Sequence, residues 1–314
     1  MPIDLNATFG KTLDPVFAEK LGQIFKAPIR ACDAERLEFT DGTSVPVVNH
    51  VPRFVSSDQY VKSFSFQWTK YTTAQHNSAH ASKLSRRDFI GKFGLSPEQV
   101  KGRLFLDAGC GTGRVSEILA EWGAYVIGVD LSDSVDVAQH QLVRFPTAAV
   151  LQADIANLPF RPECFDMVIS TGVLHHTPDT RGYAAKLVPL VKAGGEFAIW
   201  VYDSRIFSRR KEWIPFTSRV PHKAFNDWCV WISDVARANR GHPLLEMFIR
   251  QMPFTTHHET ALRSALTLFD SYTPSYHGVH SEEEVTQWFR EFGLTDIHTN
   301  AISTSVRGRK PLQV

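Results

Sequence analysis

The chain has few cysteines, no surplus of either charge and no long apolar run, and each absence removes a class of protein. Its four cysteines, Cys32, Cys110, Cys164 and Cys229, lie far apart and none belongs to a C-x-x-C pair. Neither a zinc ribbon nor a disulfide framework is legible in that spacing. Free thiols in a chain of this size fit a reducing, cytoplasmic setting. Basic residues number 34 against 33 acidic ones, a formal net charge of +1, so no global field draws the chain onto nucleic acid or an anionic membrane. The basic cluster from Arg205 to Lys211 reads as a solvated helix face rather than a phosphate grip. The most apolar central stretch, Leu187 to Tyr202, is interrupted by Lys192, Gly194, Gly195 and Glu196, and is too short and polar to span a bilayer. The start, "MPIDLNATFGKTLDP", has no basic segment followed by an apolar one, so no secretory signal is expected. No internal repeat or low-complexity tract occurs. What remains is 43% hydrophobic and 21% charged over 314 residues, a globular chain long enough for one large domain with an appendage.

The pattern divides the chain into segments. Residues 1–55 carry a hairpin signal, "RLEFTDGTSVPVV", with Asp41-Gly42 as a two-residue turn between β-prone runs. Residues 56–102 are aromatic and polar and read as helical pieces, the last opening at Ser96-Pro97. From 103 the chain alternates "RLFLDAG", a helix, "YVIGVDLS", a helix, "AAVLQADI", "FDMVISTGVL", a helix over "GYAAKLVPLVKAGG" and "EFAIWVYD". Strands alternating with helices predict βαβ crossovers and a parallel sheet. The expected fold is α/β, a doubly wound, mostly parallel seven-stranded sheet. Residues 204–280 break the rhythm as a helical insertion over the sheet's C-terminal rim, after which "SEEEVTQWFREFG" and "TDIHTNAISTSVRGRK" supply a capped helix and closing hairpin strands.

"LDAGCGTGR" leaves a strand and opens a helix. Gly109, Gly111 and Gly113 allow a tight turn and close approach of backbone to a ligand. The spacing is G-x-G-x-G rather than the dinucleotide G-x-G-x-x-G, and Asp107 beside it suits a ligand with a positive group better than a pyrophosphate. Asp130 ends the second strand, where a carboxylate can accept both hydroxyls of a ribose, and Asp154 ends the third, within reach of an adenine amino group. Each acid alone fits an ordinary strand-end turn. Three at successive strand ends beside a glycine turn point to a nucleoside ligand.

This set resembles the class I S-adenosylmethionine-dependent methyltransferases: "LDAGCGTGR", "VIGVDLS", "LQADIANLPF", "FDMVISTGVLHHTPD" and "LVPLVKAGGEFAIWVY" are similar to five of their motifs, in order, over about 100–203. The resemblance implies a Rossmann-like methyltransferase domain over 103–314 and S-adenosyl-L-methionine as cofactor, with S-adenosyl-L-homocysteine as product. It implies that Asp107, Gly109, Cys110, Gly111 and Gly113 hold the methionine part and Asp130 and Leu131 the ribose. Asp154 and Ile155 would bracket the adenine, and Thr171 and Gly172 would pass beneath the sulfonium. The front end resembles a Trm112-like zinc-ribbon module fused to some bacterial small-molecule methyltransferases; only Cys32 falls near a metal-ligand position, so it reads as a degenerate, metal-free segment. "FSFQWTKY" would then lie across the cofactor pocket, with Gln67, Trp68 and Tyr71 lining it, or would serve plain packing between segments.

His175 and His176 follow the fourth strand at the cofactor-facing edge. Adjacent residues leaving a strand diverge, and helical zinc pairs sit at i and i+4, so no metal is expected there. Histidine titrates in the range a general base needs, which makes both candidates for the proton acceptor. Trp200, Tyr202, Tyr272, Tyr276, His277 and Arg307 are candidate substrate contacts, each equally readable as structural. The reading is a methyltransferase acting on an O, N or C atom of a small organic acceptor, with no membrane partner and an open oligomeric state. A nucleic-acid methyltransferase and a cofactor-binding but inactive regulatory partner are the alternatives.

Overall fold

The computed structural model describes residues 4–55, 79–206, 212–239, 241–243 and 261–312. Five parallel strands form the frame: β5 (Leu104–Ala108), β6 (Tyr125–Asp130), β7 (Ala148–Gln152), β8 (Phe165–Thr171) and β9 (Val191–Trp200). With β10 (Thr295–Thr299) and β11 (Ser305–Arg309) they make a seven-stranded sheet ordered β10-β11-β9-β8-β5-β6-β7, and β11 is antiparallel to both its neighbours. Every residue of β5 and of β7 is buried, because helices and the N-terminal segment cover both faces; that is why these strands read as continuous apolar runs. The order reverses between β5 and β8, the switch point at which open α/β sheets leave a crevice at the strands' carboxyl ends.

The helix before β9 is shorter than its sequence promises. It spans Thr180–Leu187, a 3₁₀ turn takes Val188–Leu190, and β9 starts at Val191. Pro189 has no N–H to continue the ladder, and Gly194, at φ +75°, sits inside the strand at a register shift rather than ending a helix.

Residues 4–55 hold more than a hairpin. Strands β1 (Ile29–Cys32), β2 (Arg36–Phe39), β3 (Ser44–Val48) and β4 (Val51–Pro52) form a four-stranded antiparallel meander behind helix Pro15–Gln23. Phe39 N–H donates to the Thr43 carbonyl, so Thr40, Asp41 and Gly42 form the turn, with Gly42 at φ +88°. A three-residue loop with glycine in the left-handed region thus replaces the expected two-residue turn. Phe25 packs against Phe39, Phe54 and Phe160 at ring distances of 5.3–5.9 Å. Leu21, Leu37 and Phe39 share one continuous core with Leu106, Val129 and Leu151 of the large sheet. Burial of that kind, at roughly 25 cal/mol per Å² of apolar surface, binds the meander to the sheet. Cys32 donates from Sγ to the Asp4 carbonyl, and among the described residues no three metal-binding side chains lie together.

On the opposite face Phe89, Phe93, Val115, Leu119, Val135 and Leu142 cover the sheet. Helices His222–Ala238 and Ala261–Tyr272 pack on each other through Phe225, Cys229, Ile232, Leu268, Phe269 and Tyr272, a small core of their own. Helix Glu282–Glu291 begins where Ser281 Oγ accepts from the Glu284 N–H at 3.1 Å. The Glu284 carboxylate pairs with His280 Nδ1 at 2.9 Å rather than reaching back to the cap. No helix among the described residues is long and apolar enough to cross a membrane.

Candidate active site

At the switch point the chain after β5 turns through Gly109, Gly111 and Gly113, with φ of +84°, +53° and +84°. A Cβ on Gly109 would lie 2.3 Å from Val173 Cγ2, so the turn after β5 and the chain after β8 meet only because glycine is there. Ser170 Oγ ties the same two ends by donating to the Ala108 carbonyl at 2.7 Å. Cys110 points inward, and burial pushes its thiol well above the usual range.

Beneath this turn lies Asp107, with no exposed surface. Ser116 Oγ donates to Asp107 Oδ2 at 2.7 Å, while Oδ1 is buried and has no partner among the described residues. Burial raises the carboxyl to about 6, against the bond from Ser116 and with the nearby Asp130 charge adding to the rise. Its charge therefore sits under the glycine turn, not in the open cleft. Asp130, at the end of β6, accepts from the Gly111 N–H at 2.9 Å on Oδ2, and from the Ser132 N–H at 2.9 Å and Ser132 Oγ at 2.7 Å on Oδ1. An ionised carboxylate offers about four acceptor sites, so one stays open. A second opens if Ser132 Oγ turns to Ser134 Oγ, 2.7 Å away. Asp154 Oδ1 caps the 3₁₀ turn Ile155–Asn157 through the Ala156 N–H at 2.8 Å. Leu131 and Ile155 flank these acids on the same rim, and Leu131 offers its carbonyl to Gln152 Nε2.

Across the crevice, Thr171 ends β8 with its buried Oγ1 lacking a partner among the described residues, and Gly172 follows at φ +78°. His175 and His176 then form a single 3₁₀ turn with Leu174, and both rings are buried. The His175 ring stacks on Tyr202 at 3.7 Å and meets the His176 ring at 4.1 Å. Burial, and then the neighbouring His176, His277, His280 and Lys92, drive the His175 imidazole well below its usual range. His176 Nδ1 lies 3.1 Å from the Tyr276 carbonyl. A carbonyl only accepts, so Nδ1 carries the proton and the ring lone pair is on Nε2. Burial lowers this imidazole to about 4, the Tyr276 carbonyl opposing.

The segment before the last helix closes over these rings: the Gly278 N–H donates to the His175 carbonyl at 2.7 Å, and His280 N–H to the Tyr202 carbonyl at 2.9 Å. Residues 106–199 match the family model described as a methyltransferase domain. The chain carries a class I S-adenosylmethionine-dependent methyltransferase domain. The ubiquinone biosynthesis O-methyltransferase of Coxiella burnetii is 37% identical over 99 residues, 31% of this chain and 42% of that protein. The tRNA (carboxymethyluridine(34)-5-O)-methyltransferase of Arabidopsis thaliana is 30% identical over 161 residues, 49% of this chain and 34% of that protein. The match thus spans less than half the length of either relative. Magnesium protoporphyrin IX methyltransferase from Synechocystis superposes with a TM-score of 0.45 at 17% identity, over 82% of this chain and 98% of that one.

The residues of the methyltransferase domain fit its cofactor on their own chemistry. A buried carboxylate with an unsatisfied oxygen under a glycine turn favours a cationic group above it, and Asp130 retains acceptor capacity suited to hydroxyls. The substrate candidates divide. Trp200, Tyr202 and His277 come together with the two histidines, the His277 ring lying 5.1 Å from Tyr202 and 6.1 Å from His176. Tyr276 contributes its carbonyl, while its side chain is exposed. Tyr272 does not reach this rim as a contact; it is the fully buried centre of the helix-pair core. Arg307 is likewise misplaced by the sequence reading: it pairs in register with Ala198, inside the sheet, and its Nη1 lies 3.7 Å from Glu196. Gln67, Trp68 and Tyr71 lie outside the described residues. Sequence reasoning missed Lys92. Its Nζ sits 3.7 Å over the Trp200 ring and 3.0 Å from Asp88, and burial lowers the ammonium to about 8. A lone lysine in "DFIGKFG" reads as a solvated charge, and only the neighbouring Phe89 and Phe93 hint that this helix face is covered.

Proposed function

We propose that the protein is a methyltransferase that moves the methyl group of S-adenosylmethionine to an oxygen of a small, planar organic acceptor held among His175, His176, Trp200, Tyr202 and His277. The observation that carries this reading is the fixed state of His176: a neutral imidazole with Nδ1–H on a carbonyl and its lone pair on Nε2. When bound, the cofactor would supply an electrophilic methyl on a sulfonium, whose sulfur keeps the bonding electrons and leaves as the neutral thioether of S-adenosylhomocysteine. Asp107, Gly109, Cys110, Gly111 and Gly113 would hold its amino-acid end, Asp130 and Leu131 its ribose, Asp154 and Ile155 its base, and Thr171 with Gly172 would form the floor. The aromatic rim excludes water and aligns a flat acceptor.

His176 Nε2 takes the acceptor's proton. A phenol-like hydroxyl near 10 and an imidazole near 4 differ by about 6 units, roughly 8 kcal/mol, so the proton does not leave beforehand. It would pass to Nε2 only as the hydroxyl oxygen acidifies during the transfer. The ubiquinone-pathway relative, named as an O-methyltransferase, supports an oxygen acceptor. A tRNA acceptor is the second reading, favoured by the longer match to the Arabidopsis protein; the balanced charge of +1 speaks against it.

The test is to incubate the protein with S-adenosylmethionine and, in separate arms, a panel of hydroxy-arenes and bulk tRNA, following S-adenosylhomocysteine release and product mass. A methyl ether of an arene is expected, with His176→Ala slowing it by about 10²–10⁴-fold. Methylated RNA without any aryl ether would overturn the small-molecule reading, and an undiminished His176→Ala rate would overturn the base.

A further inference from the structure

Two side chains beside β4 reach across to the cofactor side of the sheet: Asn49 Nδ2 donates to Asp136 Oδ1 at 3.2 Å, and Arg53 bonds both Asp136 and Gln152. Arg53 follows β4 and is nearly buried, 10% of its side chain being exposed. Its Nη1 donates to Gln152 Oε1 at 3.0 Å, and its Nη2 donates to Asp136 Oδ1 at 2.5 Å and to the Val48 carbonyl at 3.3 Å. Gln152 passes the connection on, donating from Nε2 to the Leu131 carbonyl at 2.9 Å and to Asp133 Oδ1 at 3.3 Å. The backbone repeats the link: Arg53 bridges Gln152 in parallel register, and the Phe54 N–H donates to the Gln152 carbonyl at 2.7 Å. The Asp130 carbonyl itself accepts from the Ala153 N–H at 3.0 Å.

The turn held in this way, 131–133, is the one whose Ser132 N–H and Oγ orient the Asp130 carboxylate. We infer that Arg53 is a positioning residue for the nucleoside end of the cofactor site, acting through Gln152 and Asp136 to fix the turn from which Asp130 is presented. The inference rests on the proposed seat of the ribose at Asp130. It makes residues 4–55 part of the cofactor site's construction rather than a passive remnant at its edge. Arg53 is suited to this because a planar guanidinium satisfies three acceptors in one rigid fork, which lysine cannot do. Residues ahead of the meander also bond the helix Ser134–Leu142, and one of these links provides the control. Lys11 Nζ donates to the Leu142 carbonyl at 2.9 Å, at the far end of that helix from the 131–133 turn.

The experiment measures S-adenosylhomocysteine binding by calorimetry, and unfolding midpoints, on the full chain carrying Arg53→Gln, Gln152→Met or Lys11→Ala. Arg53→Gln and Gln152→Met should each weaken S-adenosylhomocysteine by about tenfold or more, and the double variant should lose little beyond the single ones, since both cut the same connection. Lys11→Ala should lower the midpoint yet keep the affinity within twofold. Gln152→Met cuts the connection from its other end and keeps the Arg53 bonds to Asp136 and the Val48 carbonyl, so it answers the question even if Arg53→Gln does not fold. Unchanged affinity in Gln152→Met, or an equal loss in Lys11→Ala, would overturn the inference while leaving the cofactor site standing. A wild-type protein that binds no S-adenosylhomocysteine would remove the site, and this inference with it.

Discussion

Asp107→Asn is the substitution whose effect the structure predicts most sharply. The wild-type carboxyl has its acid strength set by burial, at about 6 in the folded protein against 3.8 for an unburied aspartate. Between those values the folded state binds more protons than the unfolded one, so stability falls as pH rises through that window. Above it the ionised carboxylate costs about 1.36 kcal/mol per unit over 2.2 units, roughly 3 kcal/mol. At pH 4.5 about 1 kcal/mol of that cost remains, so some 2 kcal/mol separates pH 4.5 from pH 7.5. Asparagine occupies the same volume and can still accept from Ser116, but carries no such term. The stability of Asp107→Asn relative to wild type should therefore improve by about 2 kcal/mol between pH 4.5 and 7.5, read from urea unfolding at both values. At pH 7.5 the same variant should bind S-adenosylhomocysteine more weakly, because the charge under the glycine turn is gone. A stability difference that does not change with pH would refute the buried-carboxylate reasoning. A rise in stability with undiminished affinity would refute the carboxylate's role toward the ligand.

Further outcomes follow from the same geometry. His176 works in the opposite direction: its unfolded imidazole protonates at 6.5 but the folded one only at about 4, so stability is intact above 6.5 and is lost as pH falls toward 4. His176→Phe should remove about 2.5 kcal/mol of the acid destabilisation between pH 7.5 and 4.5, measured by unfolding against wild type; an unchanged pH slope would contradict it. The two terms nearly cancel in the wild-type curve, so only the variants expose them. Asp130→Ala should weaken S-adenosylhomocysteine at least tenfold, given about 1.5–3 kcal/mol for each bond to a charged group, and calorimetry at fixed pH checks it. Gly109→Ala should cost about 2 kcal/mol or more of stability, since its Cβ would sit 2.3 Å from Val173 Cγ2 at φ +84°; near-neutral unfolding would show that the turn has room to relax.

The parallel sheet was legible because strands buried on both faces must be apolar throughout and must end in turns, and "LDAGCGTGR" and "VIGVDLS" carry both signals at once. The meander was only half legible. β1 has four residues and β4 two, too few to show alternation, and β4 is defined by pairing rather than composition. Arg307 and Tyr272 were misjudged for one reason: the sequence showed which side chains have useful chemistry but not which way they face. A strand's register decides that for Arg307, where a slip of one residue changes the face, and an amphipathic helix decides it for Tyr272. The histidines follow the fourth strand as the sequence places them, but which ring nitrogen of His176 carries the proton depends on the Tyr276 carbonyl, 100 residues later. Arg53 met the same obstacle, since Gln152 lies 99 residues away. Local pattern does not encode contacts of that span.

The glycine turn, Asp107 and Asp130 are proposed here as the seat of S-adenosylmethionine. The most direct test is a calorimetric titration of the full chain with S-adenosylhomocysteine at pH 7.5. One saturable site per chain is expected, displaced by S-adenosylmethionine and weakened in Asp130→Ala. Absence of saturable heat in the wild type, or an isotherm identical in wild type and Asp130→Ala, would contradict it.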